Sequence, residues 1–204
     1  MEKIFIPAKS RAEVNKTKIL SISNKLPKNI ALVFSIQFQD IALEIRKILS
    51  AKHNITAFMQ VLGCSQPKFQ NTDAILLIGS GKFHAVSLAF ETKLPVFVLK
   101  HEELEKVSDK EVQELETKHK TSYLKFLHAD KVGILITTKP GQERIKRSLE
   151  LKKKLNKKTY LFIGNNIDIK EFENFTIDSW INTACPRMDF DRAIINLNDL
   201  NLRQ

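Results

Sequence analysis

The chain has 204 residues, of which 43% are hydrophobic and 27% are charged. This balance is typical of a globular protein and excludes a disordered or collagen-like chain, and the length allows one large domain or two small ones. No apolar run is long enough to cross a membrane, and the first ten residues lack the features of a secretory signal, so we expect a cytoplasmic protein with no membrane partner.

The formal net charge of +10 raises the question of an anionic partner such as a nucleic acid. The lysines are spread along the chain, however, and their one dense group lies at the end of a predicted helix, where the helix dipole and solvent favour cations. No aromatic residues are interleaved with these lysines, so we expect no specific nucleic-acid partner. The dense group consists of Lys152, Lys153, Lys154, Lys157 and Lys158.

Strands and helices alternate through the first half of the chain. Short apolar runs predict strands, and apolar residues three or four positions apart predict helices. Residues 30–36 are apolar almost throughout, as in a strand buried on both faces of a parallel sheet, and Asp40 is the predicted N-cap of the helix that follows. The predicted strands are 3–7, 30–36, 74–78 and 96–99, and the predicted helices are 40–50 and 84–90.

The second half of the chain repeats this alternation. The only tryptophan, Trp180, alternates with apolar residues and is therefore predicted to lie in the core. The predicted strands are 132–138, 159–163, 177–183 and 193–197, and the predicted helices are 102–127 and 142–155. The sequence thus predicts an α/β protein of two small doubly wound domains, residues 1–100 and 101–204, each with a mostly parallel sheet flanked by helices.

The chain contains two cysteines, Cys64 and Cys185. A disulfide is not expected in a reducing compartment, and the absence of a CxxC pair argues against a zinc site. Cys64 follows the apolar segment 55–62 and Cys185 follows a predicted strand directly. Each domain would therefore present one thiol at the sheet edge where α/β proteins bind ligands, which suggests a site to which both domains contribute.

Local sequence leaves the role of each cysteine open. A lone cysteine after an apolar run is most often a small buried apolar residue. For Cys185, the proline that follows stiffens the turn, and Arg187 places a cation near the sulfur. A nearby cation favours the thiolate, and thiolates are the ligands of iron–sulfur clusters.

Glycine-rich turns connect a strand to a helix in both domains. Residues 79–84 read Gly-Ser-Gly-Lys-Phe-His, and their two glycines let backbone N–H groups approach a carboxylate or phosphate. The match to the GxGxxG nucleotide motif is partial, because His84 takes the last position. His84 could be a proton carrier, a ligand or simply a residue that begins a helix. Gly141-Gln142 is a similar turn in the second domain, where ordinary turn chemistry is the simpler interpretation.

Taken together, five segments resemble the diphthamide synthase family, the radical-SAM 2-(3-amino-3-carboxypropyl)histidine synthases of the archaeal type. They occur in the family's order, and the Gly-Lys-Phe-His and Ala-Cys-Pro-Arg segments are the most specific. The resemblance extends over nearly the whole chain. The segments are 4–7 (Ile-Phe-Ile-Pro), 60–64 (Gln-Val-Leu-Gly-Cys), 78–84 (Ile-Gly-Ser-Gly-Lys-Phe-His), 137–142 (Thr-Thr-Lys-Pro-Gly-Gln) and 183–187 (Thr-Ala-Cys-Pro-Arg).

The resemblance implies a fold and a chemistry. Family members consist of three homologous α/β domains, each of which supplies one cysteine to a 4Fe-4S cluster whose open iron binds S-adenosylmethionine. Reduction releases a 3-amino-3-carboxypropyl radical, which adds to a histidine of translation elongation factor 2. By this resemblance Cys64 is the metal ligand of the middle domain and Cys185 that of the last domain, with Asp189 as an outer neighbour. The cofactor-binding residues it implies are Gly79, Ser80, Gly81, Lys82, Phe83, His84, Gly141, Gln142 and Arg187.

The chain resembles only the second and third domains of the family, so the first domain and its cysteine are not accounted for. A separate chain could supply them, this chain could be a non-catalytic partner subunit, or the α/β scaffold could serve a different binding function. Both cysteines and both glycine turns lie inside the family's motifs, and a chain without catalytic work has no chemical need for that set. We therefore expect a 3-amino-3-carboxypropyl transferase completed by a separate first-domain chain, with elongation factor 2 as its protein substrate.

Overall fold

A computed structural model describes residues 8–10, 13–62, 65–79, 81–100, 103–186, 188 and 194–200, without the side chains of 169 and 173. The chain divides into two compact units, Met1–Gln113 and Glu114–Gln204. Each unit contains a sheet of mostly parallel strands flanked by helices, which confirms the predicted α/β class. The predicted strand 3–7 lies outside the described residues. The assignment of each unit to one domain of the family stays a prediction.

The first unit is built around a five-stranded sheet. Its elements in chain order are α1 (Lys16–Ser23), β1 (Asn29–Phe34), a 3-10 helix (Ile36–Phe38), α2 (Gln39–Leu49), β2 (Asn54–Gln60), β3 (Ala74–Ile78), α3 (Lys82–Thr92), β4 (Val96–Lys100) and β5 (Glu103–Lys106). The strand order is β2-β1-β3-β4-β5, with β5 antiparallel to β4 and every other pair parallel. The central strands β1 and β3 are almost entirely buried, as their continuous apolar sequences predict.

One face of the first sheet packs against α1 and α2. Alternate residues of β1, among them Leu32, point to this face and meet Ile45 and Leu49 of α2. Helix α1 adds Ile19 and Ile22 to the same cluster. This packing stabilises α1, because an eight-residue helix has little stability of its own. Helix α1 was not predicted from the sequence.

The second unit is built around a four-stranded, wholly parallel sheet. Its elements are α4 (Asp109–His128), which begins in the first unit, β6 (Lys131–Thr137), α5 (Ile145–Lys154), β7 (Lys158–Gly164), a 3-10 helix (Ile169–Asn174), β8 (Ser179–Asn182) and β9 (Ile195–Asn196). The strand order is β7-β6-β8-β9, the same order as β2-β1-β3-β4 in the first unit. Helices α4 and α5 cover one face through a cluster that includes Phe126 and Leu151.

Aromatic side chains cover the other face of the second sheet. The Trp180 ring stacks on Phe172, with ring centroids 4.3 Å apart, and meets Phe162 edge-on at 4.7 Å. Gly133 of β6 is the register partner of Trp180 on β8, and a Cβ at Gly133 would overlap the indole ring. Trp180 is buried, as predicted, and Gly133 provides the space that it occupies.

Residues 103–106 form a strand rather than the start of a helix. Their sequence, Glu-Leu-Glu-Lys, favours a helix, but antiparallel pairing with β4 places them in the first sheet. The predicted helix from residue 102 was therefore wrong at its start, and α4 begins at Asp109. The first sheet consequently extends past residue 100, and the two units divide within α4.

The starts of α2 and α5 also differ from the sequence predictions. Asp40 is not the N-cap of α2, because Phe38 takes that position while Asp40 lies in the first turn and accepts a hydrogen bond from Lys9 at 2.8 Å. Helix α5 begins at Ile145 rather than Gln142, because the N–H of Gln142 donates to the Lys139 carbonyl in a turn. Among the described residues, no helix is both long and apolar enough to span a membrane.

Replacing Gly133 by Ala should lower the free energy of unfolding by about 1–3 kcal/mol, because the packed indole ring must move to accommodate the methyl group. Trp180 is the only tryptophan, so its fluorescence reports this unfolding in urea. Gly141→Ala is the comparison, since a Cβ there meets nothing within 4 Å and costs only the strain of a φ of +80°. An unchanged unfolding midpoint for Gly133→Ala would contradict the packing described here.

Candidate functional site

The carboxyl ends of β1 and β3 lie side by side at one edge of the first sheet. The chain leaves β1 towards β2 and leaves β3 towards β4, on opposite sides, so this is the position at which α/β sheets form a ligand crevice. Ser35 follows β1, and its N–H donates to the Ile78 carbonyl at 3.4 Å. A Cβ at Gly79 would lie 3.2 Å from Ser35 Oγ, so glycine lets the two loops approach closely.

Beyond Gly79 the loop leads directly into α3. Gly81 is the N-cap and has no side chain with which to cap the helix. Lys82, Phe83 and His84 form the first turn, so α3 begins two residues earlier than predicted, and the His84 ring lies edge-on to the Phe83 ring with centroids 5.7 Å apart. The N-terminus of α3 carries a partial positive charge, which suits a carboxylate or phosphate.

Lys82 forms an ion pair with Glu111 in the first turn of α4. Glu111 also accepts hydrogen bonds from the N–H and hydroxyl of Ser108, at 2.9 and 2.7 Å, and its own N–H donates to that hydroxyl at 3.3 Å. This reciprocal pair is a capping box. The hydrogen bond from Lys82, followed by those from Ser108, lowers the pKa of Glu111 from 4.5 to about 2. The glycine-rich loop is thereby tied to the start of α4.

In the second unit, Cys185 follows β8 at the carboxyl edge of the sheet. It is a free thiol and is half-buried. The strand ends at Asn182, whose side chain is 2% exposed and whose Nδ2 donates to the Cys185 carbonyl at 2.7 Å. The next residue, Thr183, donates to the Leu135 carbonyl through both its N–H and its hydroxyl, at 3.1 and 2.7 Å. The backbone that carries the thiol is therefore anchored to both β8 and β6.

The Gly141-Gln142 turn follows β6, the strand beside β8. Gly141 has a φ of +80°, a conformation that strongly favours glycine. The Gln142 N–H donates to the Lys139 carbonyl at 3.1 Å. This turn and the Cys185 loop therefore follow neighbouring strands at one edge of one sheet.

Several residues named from the sequence lie outside the described part of the chain. They are Cys64, Ser80, Arg187 and Asp189. Leu62 and Ser65 flank the position of Cys64 in sequence, and the Leu62 N–H donates to the Ser65 hydroxyl at 2.8 Å. Among the residues that the structure describes, no group of three or more His, Cys, Asp or Glu side chains is placed to hold a metal ion. Of the two candidate metal ligands, Cys185 is therefore the one that lies among the described residues.

The sequence analysis did not identify Asn182 or Ser35 as site residues. Asn182 closes a buried strand and Ser35 follows one directly. A buried polar residue at the end of a strand needs a hydrogen-bond partner. A polar residue at the end of a predicted buried strand was therefore the sequence feature that could have identified both. The partners themselves come from other strands or from the loop that follows, which local sequence does not specify.

Comparisons with known proteins agree with this fold. Residues 1–194 match the model of the diphthamide synthesis protein family, and the chain belongs to that family. Over 204 aligned positions it is 27% identical to the 2-(3-amino-3-carboxypropyl)histidine synthase of Pyrococcus horikoshii, with 92% of this chain and 59% of that protein covered. It is also 27% identical to the protein of the same name from Methanocaldococcus jannaschii, with 82% of this chain and 48% of that protein covered.

The fold is also found among solved structures. The crystal structure of Dph2 from Pyrococcus horikoshii with a 4Fe-4S cluster matches this chain with a TM-score of 0.76 and 23% identity. The match covers 92% of this chain and 61% of that one. The chain therefore shares the fold of Dph2 and spans about half to three fifths of the length of these relatives.

The ion pair of Glu111 should make the free energy of unfolding of the first unit depend on pH in the acidic range. Because the pKa of Glu111 falls from 4.5 to about 2 on folding, its carboxylate stabilises the folded chain above about pH 4.5, and this stabilisation disappears as the pH falls towards 2. Glu111→Gln should therefore unfold more readily than wild type at neutral pH, and the difference should vanish in acid. Urea unfolding followed by circular dichroism across this pH range measures the difference.

Glu105→Gln is the control for this experiment, because it removes an exposed carboxylate from β5 that belongs to no capping box. Its unfolding free energy should stay close to that of wild type throughout. A difference between wild type and Glu111→Gln that is the same at every pH would rule out the titration of this carboxylate as the cause.

Proposed function

We propose that this chain forms part of a 2-(3-amino-3-carboxypropyl)histidine synthase and binds a 4Fe-4S cluster through Cys64 and Cys185. The enzyme transfers the 3-amino-3-carboxypropyl group of S-adenosylmethionine to a histidine of translation elongation factor 2. The observation that carries this proposal is the family match over residues 1–194, within which the free thiol of Cys185 lies at the ligand edge of its sheet. The relatives with this name and the cluster-bearing Dph2 of the same fold support it.

The donor chemistry of Cys185 fits an iron–sulfur cluster. Cluster ligands are thiolates, so a ligand cysteine must be free of disulfides and accessible to iron. Cys185 is a free, half-buried thiol on a turn anchored by hydrogen bonds. The chain contains two cysteines in all, so a third thiolate has to come from outside these 204 residues. We assign it to a separate chain that carries the remaining domain of the family.

The glycine-rich loop of the first unit suits the charged end of S-adenosylmethionine. Gly79 and Gly81, with Ser80 between them, allow a close approach to backbone N–H groups, and the N-terminus of α3 favours a carboxylate. Lys82 adds a cation, and its ion pair with Glu111 holds it beside the loop. Phe83 and His84 lie in the same turn and complete this side of the cofactor site.

In the second unit, we propose Gly141, Gln142 and Arg187 as cofactor-binding residues. The turn after β6 brings backbone groups to the edge that carries Cys185, and the Arg187 guanidinium is a suitable partner for a carboxylate. When bound, the cluster would supply the electron that breaks a carbon–sulfur bond of S-adenosylmethionine. The residues of this chain would hold the ligands, orient the methionine group and exclude water from it.

The alternative is a non-catalytic partner subunit. The chain spans 59% and 48% of the lengths of the two synthases to which it was aligned. In that role the chain would support a complete synthase without contributing ligands to its cluster.

Anaerobic co-expression separates these functions. The chain is produced alone, with a chain carrying the family's remaining domain, and with a complete three-cysteine synthase, and iron and sulfide are measured in the purified protein. A full cluster only with the first of these partners supports a split enzyme, which is then assayed for transfer of labelled 3-amino-3-carboxypropyl to elongation factor 2. If the chain binds a complete synthase and the complex contains no more iron than the synthase alone, the chain is a partner subunit. If the chain binds no iron and forms neither complex, both functions are excluded.

Cys64→Ala and Cys185→Ala should each lose most of the bound iron of the complex, because a cluster that loses one of three thiolates is poorly held. Ser65→Ala is the matched control, since it alters the residue next to Cys64 and removes an exposed hydrogen bond to Leu62 without removing a thiol. We expect it to keep its iron. Normal iron content in both cysteine variants would rule out the proposed cluster ligands.

A further inference from the structure

We propose that Asn182 is a positioning residue for Cys185, because its buried side-chain amide folds the backbone into the turn that presents the thiol. The inference rests on the proposed function insofar as the thiol is a cluster ligand. The turn itself can be tested on the chain without any cluster.

All the polar groups of the Asn182 amide are engaged within the protein. Its Oδ1 accepts from the Ala184 N–H at 2.9 Å. Its Nδ2 carries two hydrogens, of which one is donated to the Cys185 carbonyl at 2.7 Å and the other to Asn196 Oδ1 at 2.8 Å. With the side chain 2% exposed, water offers little substitute for any of these partners.

The orientation of the amide follows from its neighbours. Nδ2 faces two oxygen atoms, the Cys185 carbonyl and Asn196 Oδ1, while Oδ1 faces an N–H. Rotating the amide by half a turn would place its oxygen against both acceptors and its NH₂ group against a donor. Asn196 is the register partner of Asn182 on β9, so the adjacent strand holds the amide in the one orientation that bonds the turn.

The hydrogen bonds act on the backbone on both sides of the cysteine. The bond to Ala184 fixes the peptide plane that precedes residue 184, and the bond to the Cys185 carbonyl fixes the plane that follows the cysteine. The Met188 N–H also donates to this carbonyl at 3.2 Å. Pro186 lacks an N–H and restricts Cys185 to extended backbone conformations. The Asn182 amide, together with Met188 and Pro186, therefore sets the direction of the Cys185 Cα–Cβ bond.

A cluster ligand benefits from this kind of support. A thiol that already points in its bound direction loses less conformational freedom when iron binds, and the residues that fix it are those packed and hydrogen-bonded beneath it. A buried asparagine suits this role because it can accept from one backbone group and donate to another. A serine hydroxyl carries one hydrogen and cannot reproduce both bonds that Nδ2 donates, and alanine retains none of the three bonds.

The test uses the alkylation rate of Cys185 in the folded chain without a cluster. Cys64→Ser in every variant leaves Cys185 as the single thiol. Asn182→Ser and Asn182→Ala should each raise the rate with iodoacetamide at fixed pH by about threefold or more, because the turn opens more often. Thr183→Val is the matched control, since it removes the buried hydroxyl bonds to Leu135 and Ser148 but keeps the Thr183 N–H bond to Leu135 and the Asn182 bonds. Its rate should stay within about twofold of the parent, because the turn remains closed.

Circular dichroism establishes that each variant is folded before alkylation. If Asn182→Ala loses the native spectrum, Asn182→Ser still tests the donated bond, because its hydroxyl can accept from the Ala184 N–H. Rates for both Asn182 variants equal to that of Thr183→Val would overturn the positioning role, whether or not the complex binds iron. A selective rise in alkylation with no cluster in any complex would retain the positioning role and reject the proposed function.

Discussion

Burial of both faces of each sheet is the constraint on which the rest of the structure depends. The central strands β1, β3, β6 and β8 are almost wholly buried, so their faces have no room for a ligand. Because these central strands are parallel, their carboxyl ends lie at one edge of each sheet. The polar groups that could contact a ligand therefore lie in the loops at that edge. Ser35, Gly79 and Cys185 all follow strand ends, and this placement is a consequence of the way the core is filled.

The same constraint explains which parts of the fold were predictable. A continuous apolar run of five to seven residues indicates a buried strand with little ambiguity, and β1, β3 and β6 were predicted from such runs. The strand that contains β8 was predicted over residues 177–183, where Trp180 alternates with apolar residues. The elements that were missed or misplaced depend on tertiary contacts. Helix α1 is stabilised by the packing of Ile19 and Ile22, and β5 has a helix-like sequence that pairing with β4 overrides.

The candidate site was predictable to a similar extent. Cysteine and glycine beside strand ends are visible in the sequence, and Cys185, Gly79 and Gly141 lie at the edges where this reasoning placed them. The Lys82–Glu111 pair and the Asn182 network could not be predicted in this way. Each joins side chains to groups on a different element, and the pairing depends on strand order and register, which a single sequence does not specify.

The equal strand order of the two units suggests how they divide the work. Since β7-β6-β8-β9 repeats β2-β1-β3-β4, the loop after β8 corresponds to the loop after β3. In the first unit this position holds Gly79 and Gly81, whereas in the second it holds a thiol supported by a buried amide. Cys64 follows β2 instead, so the cysteines do not occupy equivalent positions. One scaffold can thus present a glycine-rich loop in one unit and a supported thiol in the other, because the loops at the carboxyl edge vary while the buried strands hold them in place.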